Sequence, residues 1–138
     1  MFTTPCYVNV KKNSELIINF LEILGYKKSS ITPDQCGNLC CFTTDDGEPF
    51  YTNCDNYDVT EILCNKKVIN CAHNLYLFGA LAALRDDSDY KQWFTDGRHW
   101  ENCPEEKADL YSWESYYKTI PHKASVEELT EYFTNLLK

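Results

Sequence analysis

The chain lacks the short motifs that most often announce chemistry. It has no Gly-x-Gly-x-x-Gly, no P-loop and no His-Glu-x-x-His, so dinucleotide cradles, triphosphate cradles and the usual metalloprotease zinc site have no sequence support. No pair of its cysteines shows the Cys-x-x-Cys spacing of structural zinc sites. The longest apolar stretch, Leu75–Leu84, is about half of the roughly 20 residues that span a bilayer. Positive charge is scarce: 13 Lys and Arg stand against 21 Asp and Glu, for a formal net charge of −8. That balance argues against direct binding to a nucleic-acid backbone, which calls for a basic stripe. The start, Met1-Phe2-Thr3-Thr4-Pro5-Cys6, has neither a basic nor an apolar run, so no signal peptide and a cytoplasmic location are expected.

What is present is an ordinary globular composition with two excesses. At 138 residues the length suits one domain, 1–138, able to bury roughly two thirds of its unfolded surface without staples. Aromatic residues reach 14%, and such residues fill cores first and binding surfaces second. There are eight Cys, two of them adjacent at Cys40 and Cys41, which is awkward for ordinary disulfides; the expectation is buried free thiols in a reducing compartment. Acidic clusters at Asp45-Asp46, Asp86-Asp87-Ser88-Asp89 and Glu105-Glu106 read as solvation and loop chemistry, or as a face for a basic partner.

A set of landmarks occurs twice. Residues 42–54 run Phe-Thr-Thr-Asp-Asp-Gly-Glu-Pro-Phe-Tyr-Thr-Asn-Cys, and residues 94–103 run Phe-Thr-Asp-Gly-Arg-His-Trp-Glu-Asn-Cys. Asp-Gly between strand formers predicts a hairpin with a type I′ turn, because both central residues of that turn need positive φ. Three helices are predicted. The first follows Asn13 or Ser14, carries Leu16, Ile17, Phe20, Leu21 and Leu24, and stops at Gly25. The second, about 74–85, is apolar nearly all round and therefore buried on most sides. The third opens on a Ser125/Glu128 capping box. Strand-like segments at Cys6–Val10, Lys67–Asn70 and Lys118–Ile120 precede them. The predicted class is α+β: an antiparallel sheet with helices on one side, built from a duplicated β-α-β-β unit (about 3–58 and 66–103) and a final β-α over 117–138.

Few constellations carry chemistry. Cys36, Cys40, Cys41, Cys54, Cys71 and His73 are zinc-competent residue types that would have to converge from separate segments, so no metal or other cofactor is expected. No signature surrounds any Cys, and His73 and His122 sit between a strand and a helix, where capping or linking is the expected role. The chain is expected to be non-enzymatic. The richest segment is the second hairpin, where Trp93, Arg98, His99 and Trp100 surround Asp96-Gly97. Residues two apart on a strand share a face, so an aromatic platform beside a cation could form there, with Phe50 and Tyr51 of the first hairpin as an opposite wall.

Three stretches together carry a resemblance: Phe-Thr-Thr-Pro-Cys-Tyr-Val at 2–8, Ala-Leu-Arg-Asp-Asp-Ser-Asp-Tyr-Lys-Gln-Trp-Phe at 83–94, and His-Lys-Ala-Ser-Val-Glu-Glu-Leu-Thr-Glu-Tyr-Phe at 122–133. The chain resembles a family of short, functionally uncharacterised proteins encoded by Bacteroidales phages and prophages. The resemblance covers about half the chain, brings no site residues with it, and implies a small phage product inside a bacterial cell. The corresponding expectation is a binding protein that antagonises a host defence process. It would do so by sequestering a nucleotide-derived signal in a pocket between repeats, or between subunits of a homo-oligomer, or by occluding a host protein. The alternatives are an immunity protein that neutralises a toxin, and a Cys- or metal-dependent enzyme.

Overall fold

The computed structural model describes residues 2–10, 14–27, 39–43, 50–52, 67–110 and 120–136, and ten elements follow one another among them. They are β1 (Cys6–Val10), α1 (Ser14–Leu24), β2 (Leu39–Phe42), β3 (Phe50–Thr52), β4 (Ile69–Asn70), α2 (Leu75–Ala82), β5 (Trp93–Thr95), β6 (Trp100–Asn102), β7 (His122–Lys123) and α3 (Val126–Leu136). The class is α+β, as the sequence implies, and among the described residues the elements run β-α-β-β, β-α-β-β, β-α. The pairing does not recur. There are two sheets: β3-β2-β1-β4 and β6-β5-β7. β1 pairs antiparallel with β2 but parallel with β4, and β5 pairs antiparallel with both β6 and β7.

β1 is central because both of its faces are apolar enough to bury. Cys6, Val8 and Val10 point into the main core with Cys41, Leu21, Leu24, Phe78 and Leu81. On the opposite face Tyr7 and Cys40 are also buried, with the Tyr7 hydroxyl 3.5 Å from the Cys40 thiol. The adjacent cysteines thus divide between the two faces by the alternation of a strand. The five described cysteines, Cys6, Cys40, Cys41, Cys71 and Cys103, are buried and unbridged; Cys36, Cys54 and Cys64 lie outside the described residues.

α2 is the hub, packed on β1, α1 and α3. Its uniform hydrophobicity reflects that position: Leu77, Phe78, Ala80, Leu81 and Ala82 are all buried. Asn74 caps it by accepting from the Leu77 N–H at 3.0 Å and, through its own amide, donates to the Phe133 carbonyl at 3.2 Å, joining α2 to α3. α1 ends in a Schellman motif: Gly25 has φ +107°, its N–H donates to Glu22 O and the Tyr26 N–H donates to Leu21 O, both at 3.0 Å. Arg85 reinforces that end, donating from Nη1 to Leu24 O at 2.9 Å while its guanidinium also pairs with Asp87. α3 begins with the predicted capping box, in which Glu128 N–H donates to Ser125 Oγ and Ser125 N–H donates to Glu128 Oε1, each at 3.1 Å. No helix among the described residues is long and apolar enough to cross a membrane.

Three expectations need correction. The described strand before α3 is His122–Lys123, and Ile120 is exposed and outside it, while residues 118 and 119 lie outside the described residues. The second hairpin closes through four residues, Asp96–His99, not through a two-residue turn. Only Gly97 there has positive φ, at +100°, because the Asp96 carboxylate organises the loop instead, accepting from the Arg98 and His99 N–H groups at 2.8 Å each. The helix predicted over 74–85 stops at Ala82. The Asp46-Gly47 turn lies outside the described residues.

Candidate functional site

The register of the second hairpin decides what its aromatic residues do. Trp93 pairs with Asn102 and Thr95 with Trp100, so all four side chains share one face. That face lies under α3. Trp100 stacks on Tyr132 with centroids 4.1 Å apart and planes at 17°, and Trp93 meets the edge of Phe133 at 5.6 Å. Both tryptophans are therefore anchored by packing yet remain half-buried, each opening onto a different concavity.

Trp93 opens onto a cleft of about 330 Å³ between α1, α2 and the β5–β6 hairpin. Its walls are Leu16, Ile17 and Phe20 from α1, Leu75, Tyr76, Gly79 and Ala80 from α2, and Phe133 from α3; its polar residues are Lys91 and Asn102. The glycine in the middle of α2 costs helix stability of about 0.5–1 kcal/mol relative to alanine. The close approach of α1 accounts for it: a Cβ at position 79 would stand 3.3 Å from the Phe20 ring. The stripe on α1 is likewise broader than the core requires. Ile17, Leu21 and Leu24 are buried, whereas Leu16 is 69% exposed and lines the cleft mouth with Tyr76, 64% exposed.

Trp100 opens onto the other concavity, lined by Gly97, Glu128, Glu131, Tyr132, Asn135 and Leu136. Its carboxylates are partly committed. Glu128 lies below the usual carboxylate range: burial alone would raise it, but the Ser125 N–H and the His122 ring, 2.9 Å away, outweigh burial.

Arg98 and His99 are placed differently from the expected platform. Both lie on the exposed loop, Arg98 lines neither concavity, and His99 bonds the Asp96 carboxylate at 3.1 Å. Phe50 and Tyr51 belong to the edge strand of the other sheet, so their backbone stands in a different sheet from the tryptophans. The cation beside Trp93 is Lys91, which the sequence reading missed. No short-range pattern marks it, because Lys91 precedes the strand and takes its place from a distortion of its own backbone.

Lys91 is held by unusual backbone. Its N–H donates to Cys103 O at 2.8 Å, the Cys103 N–H donates to Gln92 O at 2.9 Å, and the Asn102 amide donates to Lys91 O at 2.7 Å. Two residues, 91 and 92, thus oppose one, a β-bulge whose first residue has φ +65°, where glycine is customary. Gln92 is completely buried and spans the turn by donating to Arg85 O and Ser88 O.

The remaining chemistry-bearing groups are occupied structurally. Burial, then the neighbouring Cys71 and Cys41, push the Cys6 thiol up against the opposing effect of Thr43, and burial raises Cys103. Both shifts run opposite to thiolate activation. His73 bonds Asn9 O at 3.0 Å, joining the turn before α2 to β1. Asp87 is held low by Arg85, and Asp89 accepts from the Ala108 N–H and pairs with Lys123 at 2.9 Å. Among the described residues no group of three or more His, Cys, Asp or Glu could hold a metal ion. Comparison of the chain with protein-family models, with curated proteins and with solved structures finds no match.

Proposed function

We propose that this is a non-enzymatic binding protein, of phage origin and directed against a host defence process, that sequesters a small nucleotide-derived signal in the cleft beside Trp93. The observation that carries the binding reading is the cleft itself: an apolar concavity walled by Phe20, Tyr76 and Trp93, with Lys91 and Asn102 as its polar residues. Ligand sites have this character, a mainly apolar lining with a few polar groups that orient the occupant. Base–aromatic stacking contributes about 1–3 kcal/mol per base, enough for two aromatic walls to give useful affinity. The phage setting rests on the family resemblance of the three stretches at 2–8, 83–94 and 122–133. The test is native mass spectrometry of the full chain recovered from infected bacteria. A noncovalent small-molecule mass is expected, and Gly79→Ala, which crowds Phe20 inside the cleft, should reduce its occupancy. An apo mass together with undiminished antagonism by Gly79→Ala would overturn the reading.

Occlusion of a host protein is the second reading, and exposed apolar side chains favour it. Leu16, Tyr76 and Ile23 stand 69%, 64% and 58% exposed on the two helices that border the cleft. An apo mass combined with loss of antagonism in Leu16→Asp would support this reading over sequestration.

A further inference from the structure

The proposed cleft has one charged residue in its lining, and that residue sits on the most distorted backbone near it. Lys91 is the first residue of the bulge, and its positive φ is one that a non-glycine residue adopts only at a cost. Bulges re-aim side chains and recur beside functional sites. Among the described residues the Lys91 ammonium takes part in no ion pair; it lies 5.5 Å from the Tyr90 ring centroid. In a chain of net charge −8, a lysine at an apolar cleft with no carboxylate partner among the described residues is a specific electrostatic feature.

Resting on the cleft being the ligand site, we propose that its occupant is a flat aromatic ring bearing one anionic group, with the ring between Phe20, Tyr76 and Trp93 and the anion at Lys91. The volume of about 330 Å³ lies at the small end of ligand sites, which favours one ring system over a dinucleotide. A single cation in the lining disfavours polyphosphates, since each further charge would enter an acidic protein without a partner. The aromatic walls favour a ring over an acyl chain, and the Asn102 side chain, tied to Lys91 O, holds the bulge in place. An aromatic carboxylate and a cyclic nucleoside monophosphate both present this chemistry.

The experiment titrates the full chain with naphthoate and cyclic adenosine monophosphate, and with their neutral counterparts naphthamide and adenosine, by calorimetry and tryptophan fluorescence. At least one anion should bind about tenfold or more tightly than its neutral counterpart, consistent with one partly desolvated charge pair. Lys91→Gln should erase that gap without moving the unfolding midpoint, and Lys91→Arg should restore most of it. Preference for naphthoate would point to a carboxylate source, and preference for the cyclic nucleotide to a phosphodiester. Equal binding of charged and neutral probes, or a gap that survives Lys91→Gln, overturns the charge assignment while leaving the cleft a ligand site. Failure of all four probes overturns the ligand class; if Gly79→Ala also keeps full antagonism, the cleft reading falls with it.

Discussion

Hairpin β2–β3 pairs backwards, through β2 to the strand β1 that precedes it, whereas hairpin β5–β6 pairs forwards, through β5 to β7. The two hairpins share the Phe-Thr…Asp-Gly landmarks, so the turn signal alone does not choose the partner. Burial does. β1 offers two apolar faces and becomes the centre of a four-stranded sheet that also takes β4. The second hairpin, covered on its tryptophan face by α3, is left with a half-buried aromatic edge and the cleft. One sheet is core, and the other holds side chains in place while keeping part of them accessible.

The largest effect should separate those two roles. Phe78 is fully buried between β1 and the helices, so Phe78→Ala should cost about 3–5 kcal/mol in chemical denaturation. Trp93→Ala should cost less, roughly 1–3 kcal/mol, because only part of the ring is removed from water. Equal losses would mean that the wall of the cleft is as much core as α2, and the distinction between the sheets would fail.

A smaller effect tests how α3 is fastened above the second sheet. Ser125→Ala removes the acceptor of the Glu128 N–H and should cost about 1 kcal/mol, within a range of roughly 0.5–2. Glu128→Ala alone removes the reciprocal bond to Ser125 and the His122 contact, so the double variant should lose less than the sum of the two. Strict additivity would indicate that the two halves of the capping box act independently.

The elements most legible in the sequence are those determined by neighbours in the chain. The capping box of α3 and the glycine stop of α1 rest on contacts within a few residues and stand where expected, and the all-round apolar character of α2 announces its burial without naming the elements that bury it. The split into two sheets was not legible, because β1–β4 and β5–β7 pairing depends on which long-range faces bury together. The turn at Asp96-Gly97 was misread because a carboxylate accepting two backbone N–H groups replaces the second positive φ. The site was half legible. Trp93 and Trp100 could be marked from aromatic density, but Lys91 acquires its position from a bulge that only the Cys103 and Asn102 hydrogen bonds define. Leu16 and Phe20 looked like core, since a helical stripe carries no sign of how wide the surface beneath it is.

Acid should weaken the contacts by which Asp89 braces the second sheet. Burial alone would raise the Asp89 carboxyl, but the Ala108 N–H and the Lys123 ammonium outweigh it and hold the group below its ordinary value. The unfolded chain therefore takes up this proton first, near the usual aspartate value of about 3.9. The stabilisation is complete above that pH and is lost as pH falls through the lower folded value. Asp89→Asn should cost about 0.2–1 kcal/mol at neutral pH and almost nothing at the acid end, read from urea midpoints taken in steps. A loss independent of pH would mean that the bond to Ala108, not the charge, fastens the loop at 86–89 to residues 103–108.

The smallest expected effect is on Arg98, and it bears on which part of the second hairpin recognises anything. Its side chain is exposed, its backbone N–H is held by Asp96, and it lines neither concavity. Arg98→Ala should therefore move the unfolding midpoint by less than about 0.5 kcal/mol, the usual range for a surface site away from caps and packing. It should also leave binding of naphthoate or cyclic adenosine monophosphate unchanged, whereas Lys91→Gln, only seven positions earlier, should abolish the anion preference. If Arg98→Ala instead lowered affinity or antagonism while the fold stayed intact, recognition would belong to the Asp96–His99 loop. The cleft would then be a packing defect between α1 and α2, and the strained bulge at Lys91 would serve only to connect the chain to β5.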